Sequence, residues 1–191
     1  LDLGYKLEFR DRSAIAAGIR NYYIKLREDF DPTHTNNKFL PAGSDYNYTN
    51  FYTTFTSNNR KPINGTVTYT KGGFFNGRYD MADAKIVYRF QPYVNFTMNA
   101  TYTNMRLPRP FEHNHFWLIG PKLDVTFSPK VYLTTFVQYN DQLNNTNLNL
   151  RFQWRYKPVS DLFIVYTDNY FVNTREVRNR ALVLKMTYWW N

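Results

Sequence analysis

The sequence predicts an all-β fold, an antiparallel transmembrane β-barrel of about eleven strands. Three observations carry that prediction. Apolar and polar residues alternate with a period of two along nearly the whole chain. The alternating runs exceed the ~5–6 residues usual in globular sheets and match or exceed the ~9–11 that a tilted strand needs to cross a bilayer. The connections between runs differ in kind, tight ones alternating with longer polar or Gly-rich ones, as periplasmic turns and extracellular loops do in outer-membrane barrels.

Composition sets the outer limits. The chain has 191 residues, no Cys, a formal net charge of +9 and 19% aromatic residues, with a mean hydropathy of −0.60. Without Cys, disulfide staples, Cys-ligated zinc and thiol catalysis are excluded together. No stretch approaches the roughly 20 consecutive apolar residues of a membrane helix. The length permits one domain with a large core. Low hydropathy beside so many aromatics suits neither a disordered nor a simple soluble chain, but it does suit a mean taken over an oily face and a wet one.

Taken in order, strands are expected over 2–11, 13–27, 44–58, 63–73, 79–91, 93–105, 115–128, 130–141, 146–157, 161–171 and 179–190. The segment from Leu1 to Arg10 already alternates at its second residue and reads as a strand entered midway, without a targeting signal, which suggests a mature product or a piece of a longer protein. In 93–105, Val94, Phe96, Met98, Ala100 and Tyr102 alternate with Asn95, Thr97, Asn99, Thr101 and Thr103. In 146–157, Leu148, Leu150, Phe152, Trp154 and Tyr156 form a lipid-facing stripe, opposite a lumen stripe of Asn149, Arg151, Gln153 and Arg155. The last run places Leu182, Leu184, Met186, Tyr188 and Trp190 on one face. A soluble β-sandwich is the competing reading, but its strands are shorter and its turns lack this asymmetry.

Pro marks four of the tight connections: Asn59–Pro62, Gln91–Pro92, Ser128–Lys130 and Lys157–Ser160; Asp11–Ser13 is tight without it. Pro presets the backbone there and has no ladder N–H to lose. The longer connections are 28–43, 72–78, 106–114, 142–145 and 172–178. Phe90 with Tyr93, Phe127 with Tyr132 and Tyr156 with Phe163 bracket the Pro turns and predict an aromatic ring at one membrane interface. Tyr22, Tyr23, Tyr46, Tyr48, Tyr102, Tyr139, Tyr166, Tyr170 and Phe171 lie near the opposite ends and predict a second ring. With the tight turns periplasmic, an odd number of strands does not close as a single-chain bacterial barrel, so at least one further strand is expected upstream.

Several segments together resemble a known family. They are Leu40-Pro41-Ala42-Gly43, Gly72-Gly73-Phe74-Phe75-Asn76-Gly77, Phe136 to Asn140, the run from Tyr156 through Pro158, Ser160, Asp161, Leu162 and Phe163 to Tyr166, and Val183 to Trp189. The chain resembles the C-terminal barrel of a poorly characterised group of Gram-negative outer-membrane proteins, common in Bacteroidota. Their full-length members look like an N-terminal carbohydrate-binding, family-nine-like β-domain followed by a membrane barrel. The resemblance implies that residues 1–191 are the C-terminal part of such a barrel, with the N-terminal domain and upstream strands outside this chain. It implies an outer-membrane location, but it supplies no catalytic set, and nothing here corresponds to the sugar-binding-like domain.

Charges on a membrane strand cost about 2–4 kcal/mol at mid-depth when they face lipid, so they should point inward. Lys6, Arg10, Lys85, Arg89, Lys122, Arg151 and Arg155 are therefore candidate lumen-lining residues, with Glu8, Asp124 and Lys185 on the same faces. A basic lumen favours anions, whereas a salt-bridged wall needs no transport role. Leu184, Met186, Tyr188 and Trp190 look like the terminal signal read by the barrel-assembly machinery, and serve equally as a last lipid-facing strand. Glu112, His113 and His115 are weak candidates for a metal site in an outer loop. Glu28, Asp29, Asp31 and His34 place carboxylates near a His, which suits hydrolysis or cation binding at the barrel rim, but nothing fixes a nucleophile or base. No cofactor is implied. The expected function is membrane anchoring or translocation for an extramembrane, glycan-binding-like domain. Alternatives are a surface hydrolase using the outer loops or a subunit of a larger outer-membrane complex. Outer-membrane lipid, lipopolysaccharide and the assembly machinery are the expected partners. Nucleic acid is not, since the basic residues are dispersed over strands.

Overall fold

The computed structural model describes residues 1–33, 38–111 and 113–190. Its strands are β1 (Asp2–Glu8), β2 (Ala14–Lys25), β3 (Asp45–Thr56), β4 (Ile63–Phe74), β5 (Gly77–Phe90), β6 (Val94–Arg106), β7 (His113–Ser128), β8 (Val131–Asn140), β9 (Asn145–Lys157), β10 (Ser160–Phe171) and β11 (Val177–Met186). Each strand pairs with the one before it, giving a single eleven-stranded antiparallel sheet in chain order and, among the described residues, no helix. The all-β class and the strand positions agree with the alternation in the sequence. Among the described residues the sheet runs from β1 to β11 without joining its ends, so closure into a barrel is not shown; an odd number of strands is expected to need at least one more to close.

Four local expectations are corrected. Phe75 and Asn76 alone join β4 to β5, so 72–78 is not a long loop. β7 begins at His113, which puts His113 and His115 on a strand, because their alternation is in phase with Trp117 and Ile119. β11 ends at Met186, short of the expected 190, and β1 ends at Glu8, leaving Arg10 in the turn.

The hairpins close through residues with left-handed backbone: Arg12 (φ 67°), Phe75 (φ 51°), Asn144 (φ 48°), Val159 (φ 59°) and Arg175 (φ 57°). A positive φ reverses the chain in a few residues. Asn is suited to it, while β-branched Val159 is strained there.

The chain forms two compact units. In the first, Leu1–Lys85 with Ala100–Trp117, the register aligns residues in rows across β1 to β4. Leu3, Ile19, Phe51 and Lys71 form one row; Tyr5, Ala17, Thr53 and Tyr69 the next; Leu7, Ile15, Phe55 and Val67 a third. The opposite face carries Asp2, Arg20, Asn50 and Gly72, then Gly4, Gly18, Tyr52 and Thr70, then Lys6, Ala16, Thr54 and Thr68. The second unit is Ile86–Asn99 with Leu118–Asn191. One of its faces carries Leu133, Phe152, Ile164 and Leu184 in a row, beside Val131, Trp154, Leu162 and Met186. Its other face carries Asp124, Thr134, Arg151, Val165 and Val183.

The buried apolar cluster lies away from these faces. Leu40, Leu107 and Phe111 are buried together, packed by Leu26, Phe30, Tyr46, Phe74 and Phe75. All belong to the first unit and to its long-connection end. By contrast, Leu3, Tyr5, Phe51, Phe55 and Val67 on the apolar face are exposed, Tyr5 at 72% and Phe51 at 63%. Soluble sheets bury one face under a second layer; among the described residues no such layer covers this one.

Candidate functional site: the polar face

In the first unit the polar face is built around close approaches that only small residues allow. The Tyr52 hydroxyl lies 2.7 Å from where a Cβ on Gly18 would sit, and the Leu3 carbonyl only 2.4 Å from it. The ring therefore lies across paired Gly4 and Gly18, and the Arg20 guanidinium stacks over it at 4.3 Å. Arg20 also pairs with Asp2 at 2.9 Å across the strands, and Lys6 pairs with Glu8. Asn50, 2% exposed, donates to the Tyr79 hydroxyl at 3.1 Å, while its side-chain Oδ1 has no partner among the described residues. Thr54 and Thr68 share a hydrogen bond of 3.0 Å, and Thr101 donates to Asp83 at 2.8 Å.

In the second unit Lys122 lies 3.0 Å from Asp124, which also accepts from the Thr134 hydroxyl at 2.8 Å. Arg155 and Gln153 both reach Asp161, at 3.2 Å and 3.1 Å. Arg151 stacks over Phe163 at 4.8 Å. Two recesses, of about 270 Å³ and 350 Å³, share Asp124 and Thr126; Arg151 and Gln153 line the first and Asn95 the second. Half-exposed pairs of this kind contribute about 0–1 kcal/mol each. Chemically the surface offers hydrated, locally neutralised charge, with each named carboxylate already engaged by a cation or hydroxyl.

The lumen-lining candidates sort as follows. Lys6 and Lys85 lie on the polar side of the first unit, and Arg89, Lys122, Arg151 and Arg155 on that of the second, while Arg10 belongs to the β1–β2 turn. Leu184 and Met186 are exposed on β11, and Tyr188 and Trp190 are exposed beyond its end. His113 hydrogen-bonds Asn104, and the His115 ring lies 6.4 Å from that of Tyr102. Glu112 and His34 lie outside the described residues. Among the described residues no group of three or more His, Asp or Glu is placed to hold a metal. Asp29 accepts from the Ala42 amide at 2.8 Å, and Asp31 from the Thr33 amide and hydroxyl at 2.9 Å and 2.8 Å, so these carboxylates brace the β2–β3 connection.

Three members of the second aromatic ring are corrected. Tyr22, Tyr46 and Tyr48 share the face of Asn50 and Tyr52, because β2–β3 register pairs Tyr22 with Tyr48 and Ile24 with Tyr46. There Tyr22 stacks on Tyr48 at 5.4 Å and Tyr46 meets Phe75 edge-on at 5.3 Å. The pairing of Asp80 with Tyr69 and Lys71, at 3.0 Å and 3.6 Å on the apolar side, was not foreseen from the sequence. Parity carried the signal: Arg78 and Asp80 are in phase with Ile86, Tyr88 and Phe90. Compared with protein-family models, curated proteins and solved structures, the chain matches none.

Proposed function

We propose that this chain forms part of the wall of a Gram-negative outer-membrane β-barrel. In this reading its apolar face meets lipid, its polar face meets a watery interior, and the barrel anchors or translocates for an extramembrane, glycan-binding-like domain. The observation that carries the reading is the exposure of the apolar rows beside an opposite face of paired charges, hydroxyls and amides. In water such a face is an aggregation surface, and in lipid it is the solvated one. Of the ring expected at the tight turns, exposed Phe90, Tyr93 and Phe127 support an interfacial position, joined by exposed Phe55 and Trp154, whereas register pairs Tyr132 and Phe163 with Gln153 on the polar face.

Unpaired edge groups in hydrocarbon each cost several kcal/mol, so β1 and β11 pair with further strands in this reading. Leu184, Met186, Tyr188 and Trp190 are then the segment offered to the assembly machinery, and lipopolysaccharide is the outer lipid contact. The local ion pairs of the polar face favour a water-filled wall that anchors over one selective for anions. Folding the membrane-extracted full-length protein in detergent and comparing boiled with unboiled migration on a denaturing gel tests the barrel; identical migration removes it. Planar-bilayer recording separates anchor from pore, and conductance above background with anion preference would restore the translocation version.

A further inference from the structure

Resting on the membrane-wall reading, we propose that a recess on the apolar face, at the long-connection end of β4, β5 and β6, binds the phosphate of a phosphorylated lipid headgroup in the outer leaflet. Lys71, Arg78 and Arg106 line it with Asp80, and its volume is about 390 Å³. The row Leu3, Ile19, Phe51, Lys71 shows that Lys71 belongs to the lipid-facing set. Arg78 is in phase with Asp80, which the Lys71 ammonium and Tyr69 hydroxyl reach from that same face.

Height on the strand distinguishes these charges from misplaced ones. Lys71 stands three residues before the end of β4, Arg78 is the second residue of β5, and Arg106 is the last of β6. All three are exposed at the rim, where headgroups lie, and clear of the hydrocarbon centre. Asp80 offsets one of the three cations, and among the described residues Arg78 and Arg106 have no ion-pair partner. Gly72, Gly73 and Gly77 line the recess without side chains; a Cβ on Gly77 would meet the Arg106 carbonyl at 2.4 Å.

Two guanidinium forks and an ammonium around an open space suit a phosphate monoester, which accepts bidentate bonds from Arg. The apolar neighbours select the source. Phe51, in the row of Lys71, and Tyr69 and Val67, toward the tight-turn end, are exposed on the same face and offer acyl chains a surface, which free phosphate does not use.

The test uses the full-length protein folded in detergent and titrated with diphosphoryl lipid A, dephosphorylated lipid A or inorganic phosphate, with bound lipid counted by native mass spectrometry. The expected result is binding that requires the lipid phosphate and weakens about tenfold or more in the Lys71→Gln, Arg78→Gln, Arg106→Gln triple variant. Arg60→Gln, in the β3–β4 turn, should leave it unchanged. Single variants, each with a smaller loss, cover failure of the triple variant to fold. Equal binding of the dephosphorylated lipid, or no loss in the variants, overturns the proposal, as does inorganic phosphate competing as well as the lipid. Gel heat-modifiability, run on every sample, separates the two readings. Its absence in the unmodified protein overturns the barrel and this site together, whereas its presence without phosphate-dependent binding overturns the site alone.

Discussion

Val159 follows Pro158 in the two-residue β9–β10 turn with φ at 59°, although a β-branched side chain is disfavoured there. Such strain costs of order 1–3 kcal/mol, so Val159→Gly should raise stability by about 1 kcal/mol in urea unfolding from lipid vesicles. A lower midpoint would mean that the Val159 side chain contributes more than its backbone costs. Gly18 is the opposite case. A Cβ there meets the Leu3 carbonyl at 2.4 Å and the Gly4 Cα at 2.8 Å, both backbone atoms, so Gly18→Ala should destabilise by about 1–3 kcal/mol in the same assay. Asp11, in the β1–β2 turn, accepts from the Ser13 hydroxyl at 2.6 Å and amide at 3.1 Å, and these bonds hold its carboxyl below the ordinary carboxylate value. A depressed folded-state value stabilises above the unfolded value, and that stabilisation is lost as pH falls through the folded one. The stability difference between the natural protein and Asp11→Asn should therefore shrink on acidification below the ordinary carboxylate range. A difference that stays constant with pH would show that Asp11 acts without its charge.

Adjacent positions on one strand make the sharpest test of facing. Val67 is 47% exposed in the apolar row with Phe55, while Thr68 bonds Thr54 on the other side. Val67→Arg should cost about 2–4 kcal/mol in lipid and Thr68→Arg much less; equal costs, by unfolding in vesicles, would sink the assignment of faces. Most strand boundaries were legible in the sequence because period-two patterning is a local property. The β4–β5 connection was not. Gly72 and Gly73 fall both in the expected strand 63–73 and in the expected connection 72–78, and they lie within β4, where Gly72 comes so close to β3 that a Cβ would meet the Thr49 carbonyl at 2.4 Å. Parity also failed at Tyr22, Tyr46 and Tyr48, since residue type says aromatic ring while register decides which face it occupies.

For the whole molecule, the distribution of apolar surface matters more than its amount. The buried cluster of Leu40, Leu107 and Phe111 ties connections together at one end of the first unit, whereas the rows on the sheet remain uncovered. A protein with this distribution should partition into detergent or lipid, and stable, monodisperse behaviour in detergent-free buffer would contradict the membrane reading.

By itself the sequence determined the all-β class, the eleven strands and the two-faced character of most of them, because alternation is written residue by residue. Only the tertiary structure decided which residues share a row. It set Tyr52 across Gly4 and Gly18, brought Asp161 to Arg155 and Gln153, and grouped Lys71, Arg78 and Arg106 around Asp80. These groupings depend on strand register, which joins residues far apart in the chain and is fixed by turns and packing together.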